Sequence, residues 1–238
     1  MTSIKPTVHV NGTDYRWPLR PVVVVCIDGG DPEYLRQFLA DGSIPHIAQF
    51  VKEGYASVAD GSMPSFTCPN NMSIITGTPT SKHGISGNYY LDTATWKPVV
   101  MTGPELLRGD TIITKFAEAG AKVVSITAKD KLRLLLGKGL VFDGSAVAFS
   151  SEKADKANLA ENGIADPCAM TGMTVPDVYS AELSEFVFAA GVKLLAAMAP
   201  QLMYLSTTDY IQHKYPPGSE GANRFYAMMD RYVGELDG

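Results

Sequence analysis

Cysteine is scarce in this chain. Its 238 residues include three, Cys26, Cys68 and Cys168, odd in number and far apart. That excludes a disulfide framework and a paired zinc motif, and points to a reduced compartment. Histidine is also sparse, with four copies, and no Asp-His dipeptide occurs. Charged residues make up only 19%, the net charge is −5, and no long Lys/Arg run exists. A protein that holds nucleic acid by bulk attraction is thereby excluded. A small anionic substrate is not, because bound divalent cations reverse the local field. No apolar run approaches the roughly 18 residues of a membrane span. The longest candidate, 186–199, is interrupted by Lys193 and reads as a buried helix. Residues 1–20 contain no apolar core of a signal peptide. Repeats and low-complexity tracts are missing as well. The expectation is a cytoplasmic protein with neither a nucleic acid nor a membrane as partner.

What the chain does have is a 45% hydrophobic content, enough for one large packed α/β domain or one domain with an insertion. After an extended lead-in with a small edge strand at 7–10, the run 22–27 is continuously apolar and β-branched, as for a central parallel strand. Helices are expected at 32–39 and 44–53, each closed by a Gly signal. A short strand follows at 55–60. Pro69 opens a helix to Thr76, and the Gly/Pro/Ser-rich 78–88 is loop. Helix 111–119, strand 122–127 and helix 129–136 come next. The less regular 141–177 reads as a cap or insertion. Helix 181–199, strand 201–206 and helix 220–236 complete the pattern. Strands alternating with helices predict an α/β fold with a doubly wound, mostly parallel sheet and helices on both faces.

The chemistry-bearing residues fall where such sheets gather ligands, beyond the carboxyl ends of the strands. Asp28 ends the first apolar strand, followed by Gly29-Gly30. It reads as a metal ligand or as an Asx turn or cap for the next helix. In Pro64-Ser65-Phe66-Thr67-Cys68-Pro69-Asn70, Pro69 suits a first helical turn. That puts Thr67 or Cys68 near the N-cap, where free N–H groups favour a phosphoryl group. Thr67 is then a nucleophile or a plain capping residue. Cys68 is a rival nucleophile with no histidine near it in sequence. Asp209-x-x-x-His213 puts an acid and an imidazole on one face of a helical turn, as metal ligands or as a surface pair. Lys129 and Lys131 follow another strand and read as a carboxylate clamp or as solvated lysines.

Taken together, these pieces resemble the alkaline phosphatase superfamily in its phosphodiesterase/nucleotide pyrophosphatase branch. The resemblance rests on Ile27-Asp28-Gly29, on Thr67-Cys68-Pro69-Asn70-Asn71 through Ile75-Thr76-Gly77, and on Thr80-Ser81-Lys82-His83-Gly84-Ile85 with Gly87-Asn88. Thr127-Ala128-Lys129-Asp130-Lys131-Leu132-Arg133 and the Asp209/His213 pair complete it. It implies two zinc ions, with other divalent metals compatible. Asp28 and the Thr67 oxygen would ligate one ion, and Asp209 and His213 the other. Asn88 would donate to a phosphoryl oxygen. The two-lysine segment points to the phosphonate-cleaving members, so the resemblance implies a small-molecule phosphonate substrate. Lys129 and Lys131 would grip the carboxylate of phosphonoacetate, whose C–P bond is cut through a phospho-threonine on Thr67.

The family continues with an Asp-His pair and a later histidine that this chain does not contain. Residues 1–238 are therefore expected to be the N-terminal portion of such a catalytic domain, with further catalytic segments beyond Gly238. Rival readings are a phosphodiesterase or nucleotide pyrophosphatase with an aromatic wall for a base, a sulfatase, a mutase-like member and a non-catalytic binding domain of the same fold. No motif specifies the assembly, and a homodimer is kept open.

Overall fold

The computed structural model describes residues 7–238; the first residues of the expected lead-in, 1–6, lie outside them. Asn11 and Gly12 adopt φ of 49° and 90° and fold β1 (Thr7–Val10) back onto β2 (Thr13–Arg16). This is the Asn-Gly hairpin turn, which needs positive φ twice. The β-branched run Val22–Cys26 is β3. Helix α1 (Pro32–Asp41) is capped by Asp31. The first turn of α2 (Pro45–Glu53) is capped from far along the chain, where Asp230 accepts the Ile47 N–H at 2.7 Å. Next come α3 (Thr67–Thr76), α4 (Thr80–His83) and a hairpin of β4 (Tyr89–Asp92) with β5 (Lys97–Val100). They are followed by α5 (Ile112–Glu118), β6 (Val123–Thr127), α6 (Asp130–Leu136) and β7 (Ala146–Ser150). A 3-10 helix (Ser151–Lys156), α7 (Leu159–Asn162), α8 (Pro167–Thr171) and α9 (Glu182–Met198) lead to β8 (Leu202–Ser206), α10 (Tyr210–Lys214) and α11 (Glu220–Asp237).

Four strands, in the order β3-β8-β6-β7, form one parallel sheet. Parallel strands buried on both faces need apolar side chains pointing both ways, and the two faces feed two cores. Val124, Ile126, Phe149, Met203 and Leu205 join Phe38 of α1, the apolar face of α9 and Phe225 and Met229 of α11. Val123, Ala146 and Tyr204 point the other way, onto Met72 of α3, Phe116 of α5 and Leu135 of α6. The fold is thus the expected α/β sheet with helices on both faces. No helix among the described residues is long and apolar enough to cross a membrane.

Four expectations need correction. Among the described residues the strand at 22–27 is not central: β3 pairs with β8 alone, and Val22 and Val24 stay 43% and 37% exposed. An all-apolar sequence marks a strand that can be covered on both sides, but cannot show whether a neighbour is present. The strand expected at 55–60 does not form. The segment is exposed and irregular, because strand propensity without a pairing partner makes no ladder. The lead-in strand at 7–10 belongs to its own hairpin rather than to an edge of the main sheet. The stretch 78–88, read as loop, contains the short helix α4. The span 141–177 contributes β7 to the main sheet, and its 3-10 helix and α8 pack on α9.

Candidate active site

Because all four strands run the same way, their carboxyl ends share one rim. β3 delivers Asp28, β8 delivers Thr207 to Asp209, β6 delivers Lys129 to Lys131, and β7 delivers Glu152 and Lys153. The strand ends are stitched together. The Thr207 N–H donates to the Cys26 carbonyl at 3.0 Å and the Asp28 N–H donates to Thr207 Oγ1 at 3.1 Å. The Ala128 N–H donates to the Ser206 carbonyl at 2.9 Å, and the Glu152 N–H to the Ala128 carbonyl at 3.1 Å. A cavity of about 570 Å³ opens on this rim, and Asp28, Thr67, Asn88, Lys129, Lys131 and Asp209 all line it. His213 does not. It lies on α10 with its side chain 75% exposed, and its Nε2 sits 2.9 Å from Asp209 Oδ2.

Thr67 is the first residue of α3, and Phe66 takes the N-cap position without a side-chain bond. The threonine hydroxyl is therefore not spent on a backbone N–H. It donates to Asp28 Oδ2 at 2.9 Å. Its neighbour Cys68 is buried, and burial pushes its thiol up, which keeps sulfur protonated and a poor nucleophile. The Cys68 N–H donates to Asn88 Oδ1 at 3.0 Å. That fixes the Asn88 amide with its Nδ2 free to donate into the cavity.

Two residues that lie in the segments carrying the resemblance, but had no role assigned from sequence, support the site. Asn71, fully buried, donates from Nδ2 to the Thr67 carbonyl at 2.9 Å and accepts at Oδ1 from the Tyr204 hydroxyl at 2.8 Å and from Ser206 Oγ at 3.3 Å. It ties the first turn of α3 to β8, the strand that leads to Asp209. The only sequence signal was an asparagine on the apolar side of a short helix. His83 is buried and accepts the Ile85 N–H at Nδ1, 3.1 Å away, so Nε2 carries the proton toward Ser73 Oγ at 3.0 Å. Burial, and then the Arg108 charge, hold its pKa below the usual histidine range. A neutral, doubly bonded imidazole pins the loop that leads to Asn88.

The charges on the rim are unevenly distributed. Gly29, at φ 70°, lets the end of β3 lie against the start of α10; a Cβ there would stand 3.0 Å from the Asp209 Cβ. The two carboxylates therefore face a common space. Burial, and then the Asp209 charge, push the Asp28 carboxyl up, against the pull of the Thr67 hydrogen bond and of Lys131. Two acids held together in a partly desolvated place suit a divalent cation. Carboxylate, hydroxyl and imidazole donors suit zinc, manganese or iron. Among the described residues no three or more His, Cys, Asp or Glu side chains gather into one metal-holding group; the donors come as the pairs Asp28/Thr67 and Asp209/His213.

On the β6 side Asp130 has cations of its own. Asp130 receives Arg133 Nε at 2.7 Å, Lys153 Nζ at 2.9 Å and Ser150 Oγ at 2.9 Å. Burial alone would raise its carboxyl, but these bonds outweigh burial and hold it below the usual range. Lys129 reaches the Val178 carbonyl at 3.2 Å. Its ammonium is held below the usual lysine range by burial, and then by Lys131, against the opposite pull of Glu152.

The profile of the type I phosphodiesterase/nucleotide pyrophosphatase family matches residues 22–236. The chain is 31% identical over 216 residues to an uncharacterised pyrophosphatase/phosphodiesterase of Schizosaccharomyces pombe, a match covering 90% of this chain and 40% of that protein. Among solved structures it is similar to phosphonoacetate hydrolase of Sinorhizobium meliloti 1021 in complex with phosphonoacetate. The TM-score is 0.95, with 54% identity, covering 98% of this chain and 57% of that one. Murine ectonucleotide pyrophosphatase/phosphodiesterase 5, at a TM-score of 0.56 and 16% identity over 91% of this chain, shares the fold. The chain thus spans 57% of the length of the Sinorhizobium enzyme and 40% of the yeast relative.

Proposed function

Because the chain belongs to the type I phosphodiesterase/nucleotide pyrophosphatase family, we propose that it is the part of a hydrolase that cleaves the C–P bond of phosphonoacetate to acetate and phosphate, with a phospho-threonine on Thr67. The observation that carries this reading is the shared cavity. Asp28, Thr67, Asn88 and Asp209 line it together with Lys129 and Lys131. Such a cavity presents separate recognition for a phosphonate and a carboxylate. The likeness to the Sinorhizobium enzyme, solved with phosphonoacetate, supports the same substrate. Three free thiols fit a reducing, cytoplasmic setting.

Asp28 with Thr67, and Asp209 with His213, would hold two divalent ions, expected as Zn²⁺. Bound there, such ions polarise phosphoryl oxygens and lower the pKa of a coordinated hydroxyl. The chain's own groups do the rest. Asp28 accepts the Thr67 hydroxyl and fixes its direction. Asn88 Nδ2 donates to a phosphoryl oxygen. As the Thr67 oxygen bonds to phosphorus, its hydroxyl proton leaves to solvent, the C–P bond breaks and its electron pair moves to carbon. A carbanion is a poor leaving group unless the charge spreads, and here it spreads into the adjacent carboxylate as an enediolate. The ammonium groups of Lys129 and Lys131 stabilise that charge where it develops. Protonation by water gives acetate. Attack of water on the phospho-threonine then returns Thr67 and releases phosphate.

A nucleotide substrate would need an aromatic wall. Tyr179 is the one aromatic side chain among the described residues lining the cavity, and Lys129 already lies over its ring. The test is product stoichiometry. With Zn²⁺ and phosphonoacetate, acetate and phosphate should appear one to one, and Thr67→Ala should lower the rate by about 10³-fold or more, with no phosphorylated protein trapped on acid quench. Release of phosphate at an unchanged rate from the Thr67→Ala protein overturns the nucleophile assignment. Turnover of a nitrophenyl nucleotide ester without phosphonoacetate turnover overturns the substrate.

A further inference from the structure

The two cavity lysines are not equivalent. Lys131 acts toward the acid side, where its charge is felt at Asp28. Lys129 is instead held from above by the turn 177–180. Its ammonium donates to the Val178 carbonyl at 3.2 Å and lies 5.1 Å from the centre of the Tyr179 ring. The turn is internally braced. The Tyr179 N–H donates to Asp177 Oδ1 at 2.8 Å, and Ser180 Oγ donates to the Asp177 carbonyl at 2.8 Å. The Tyr179 ring leans on Tyr210, at 6.2 Å between centres and 45° between planes, and Tyr210 directly follows Asp209. Tyr179 is 71% exposed, so the core does not account for its size. Its contacts are with a cavity lysine and with the residue beside a candidate metal ligand.

We propose that Tyr179, through Lys129, is the residue that sets the preference of this site for a carboxylate-bearing phosphonate. The inference rests on the phosphonoacetate reading and deepens it. A free lysine side chain samples many rotamers, and part of its binding energy is lost in fixing one of them. A cation held over an aromatic face, with a carbonyl accepting one of its protons, is fixed before the substrate arrives. The remaining ammonium protons are then left for the substrate carboxylate. Tyr179 is a positioning and specificity residue; it transfers no proton and forms no bond in the reaction.

The test compares two ligands on three proteins. Dissociation constants are measured by calorimetry in the presence of Zn²⁺ for phosphonoacetate and for methylphosphonate, which carries no carboxylate. The proteins are the unmodified chain, Tyr179→Phe and Tyr179→Leu. Tyr179→Leu should weaken phosphonoacetate by about tenfold and change methylphosphonate by less than about twofold, the range a partly exposed cation–π contact supports. Tyr179→Phe keeps the ring and should keep the affinity. Equal loss for both ligands, no loss for either, or a Phe variant as weak as the Leu variant overturns the role of the ring. If the unmodified chain binds phosphonoacetate no better than methylphosphonate, the substrate reading itself falls and takes this inference with it. A preference that survives Tyr179→Leu removes the inference alone.

Discussion

Asp28 and Asp130 occupy corresponding places, each just past the carboxyl end of a parallel strand of one sheet, and their surroundings are opposite. Asp130, 7% exposed, is surrounded by Arg133, Lys153 and Ser150. Asp28 has one side-chain donor, the Thr67 hydroxyl, besides the Gly29 N–H, and a second acid across the gap. The β6–β7 end of the rim is electrostatically finished by the chain itself. At the β3–β8 end the two acids face each other, and among the described residues the one basic side chain in hydrogen-bond contact with them is His213, on Asp209. Such an acid pair suits a cation from outside, and Lys129 and Lys131 line the same cavity.

The largest expected effect follows from the finished end. Asp130→Ala strands two cations that now share one buried carboxylate, and should lower unfolding free energy by about 2–4 kcal/mol. Asp28→Asn should leave the metal-free protein within about 1 kcal/mol of its starting stability, or raise it, because it removes a desolvated charge facing another acid. Urea unfolding of both variants in chelator checks this. If the two substitutions cost the same, the contrast between the two ends is not real.

The next effect, somewhat smaller, reads the unfinished end directly. Zn²⁺ at about a hundredfold above its dissociation constant should stabilise the protein by about 2.7 kcal/mol, by mass action on the folded state. Asp28→Asn and Asp209→Asn should each abolish most of that gain, and Asp130→Asn should keep it. Thermal unfolding with and without the metal is sufficient, and needs no turnover. Stabilisation that persists in the Asp28→Asn and Asp209→Asn proteins places the metal elsewhere.

Much of this rim could be read from residue order alone, because it depends on a local rule. Apolar β-branched runs mark parallel strands, parallel strands share an end, and polar residues just past that end meet there. Asp28, Lys129, Lys131 and Asp209 were placed on the rim this way, and Thr67 through Pro69, which lies inside the first turn of a helix that starts at Thr67 itself. What could not be read depends on contacts between distant segments. β3 has the composition of a central strand and, among the described residues, lies at the edge. The 55–60 segment has strand-forming residues and no strand beside it. Asn71 joins Tyr204 and Ser206 across 133 and 135 positions, and Lys129 meets Val178 across 49; no spacing announces either. The β1–β2 hairpin was different. Its Asn11-Gly12 turn is a local signal that a bias toward the core of the sheet passed over. The position of His213, out on the surface of α10, is a matter of helical phase that the i, i+4 spacing left open.

The smallest effect separates the two acids by the sign of their pH dependence. Asp130 has its carboxyl held below the ordinary value of 3.8. The unfolded chain therefore takes up that proton more readily than the folded one. The stability Asp130 contributes is present above pH 3.8 and is lost as pH falls through its folded value. Asp28 has its carboxyl pushed above 3.8. In metal-free protein the folded state binds that proton more readily, so stability is full below pH 3.8 and declines as pH rises through the folded value. Each slope is bounded by one proton, about 1.4 kcal/mol per pH unit. Unfolding measured against pH in chelator should show both limbs. Asp130→Asn should flatten the acid limb alone, and Asp28→Asn the limb above 3.8 alone. Saturating Zn²⁺ should flatten the second limb in the unmodified chain, because a bound cation holds Asp28 ionised and removes the reason for its elevated pKa. If the limb above 3.8 persists in Asp28→Asn, the acid pair is not its source, and the electrostatic case for a cation on that end of the rim is lost.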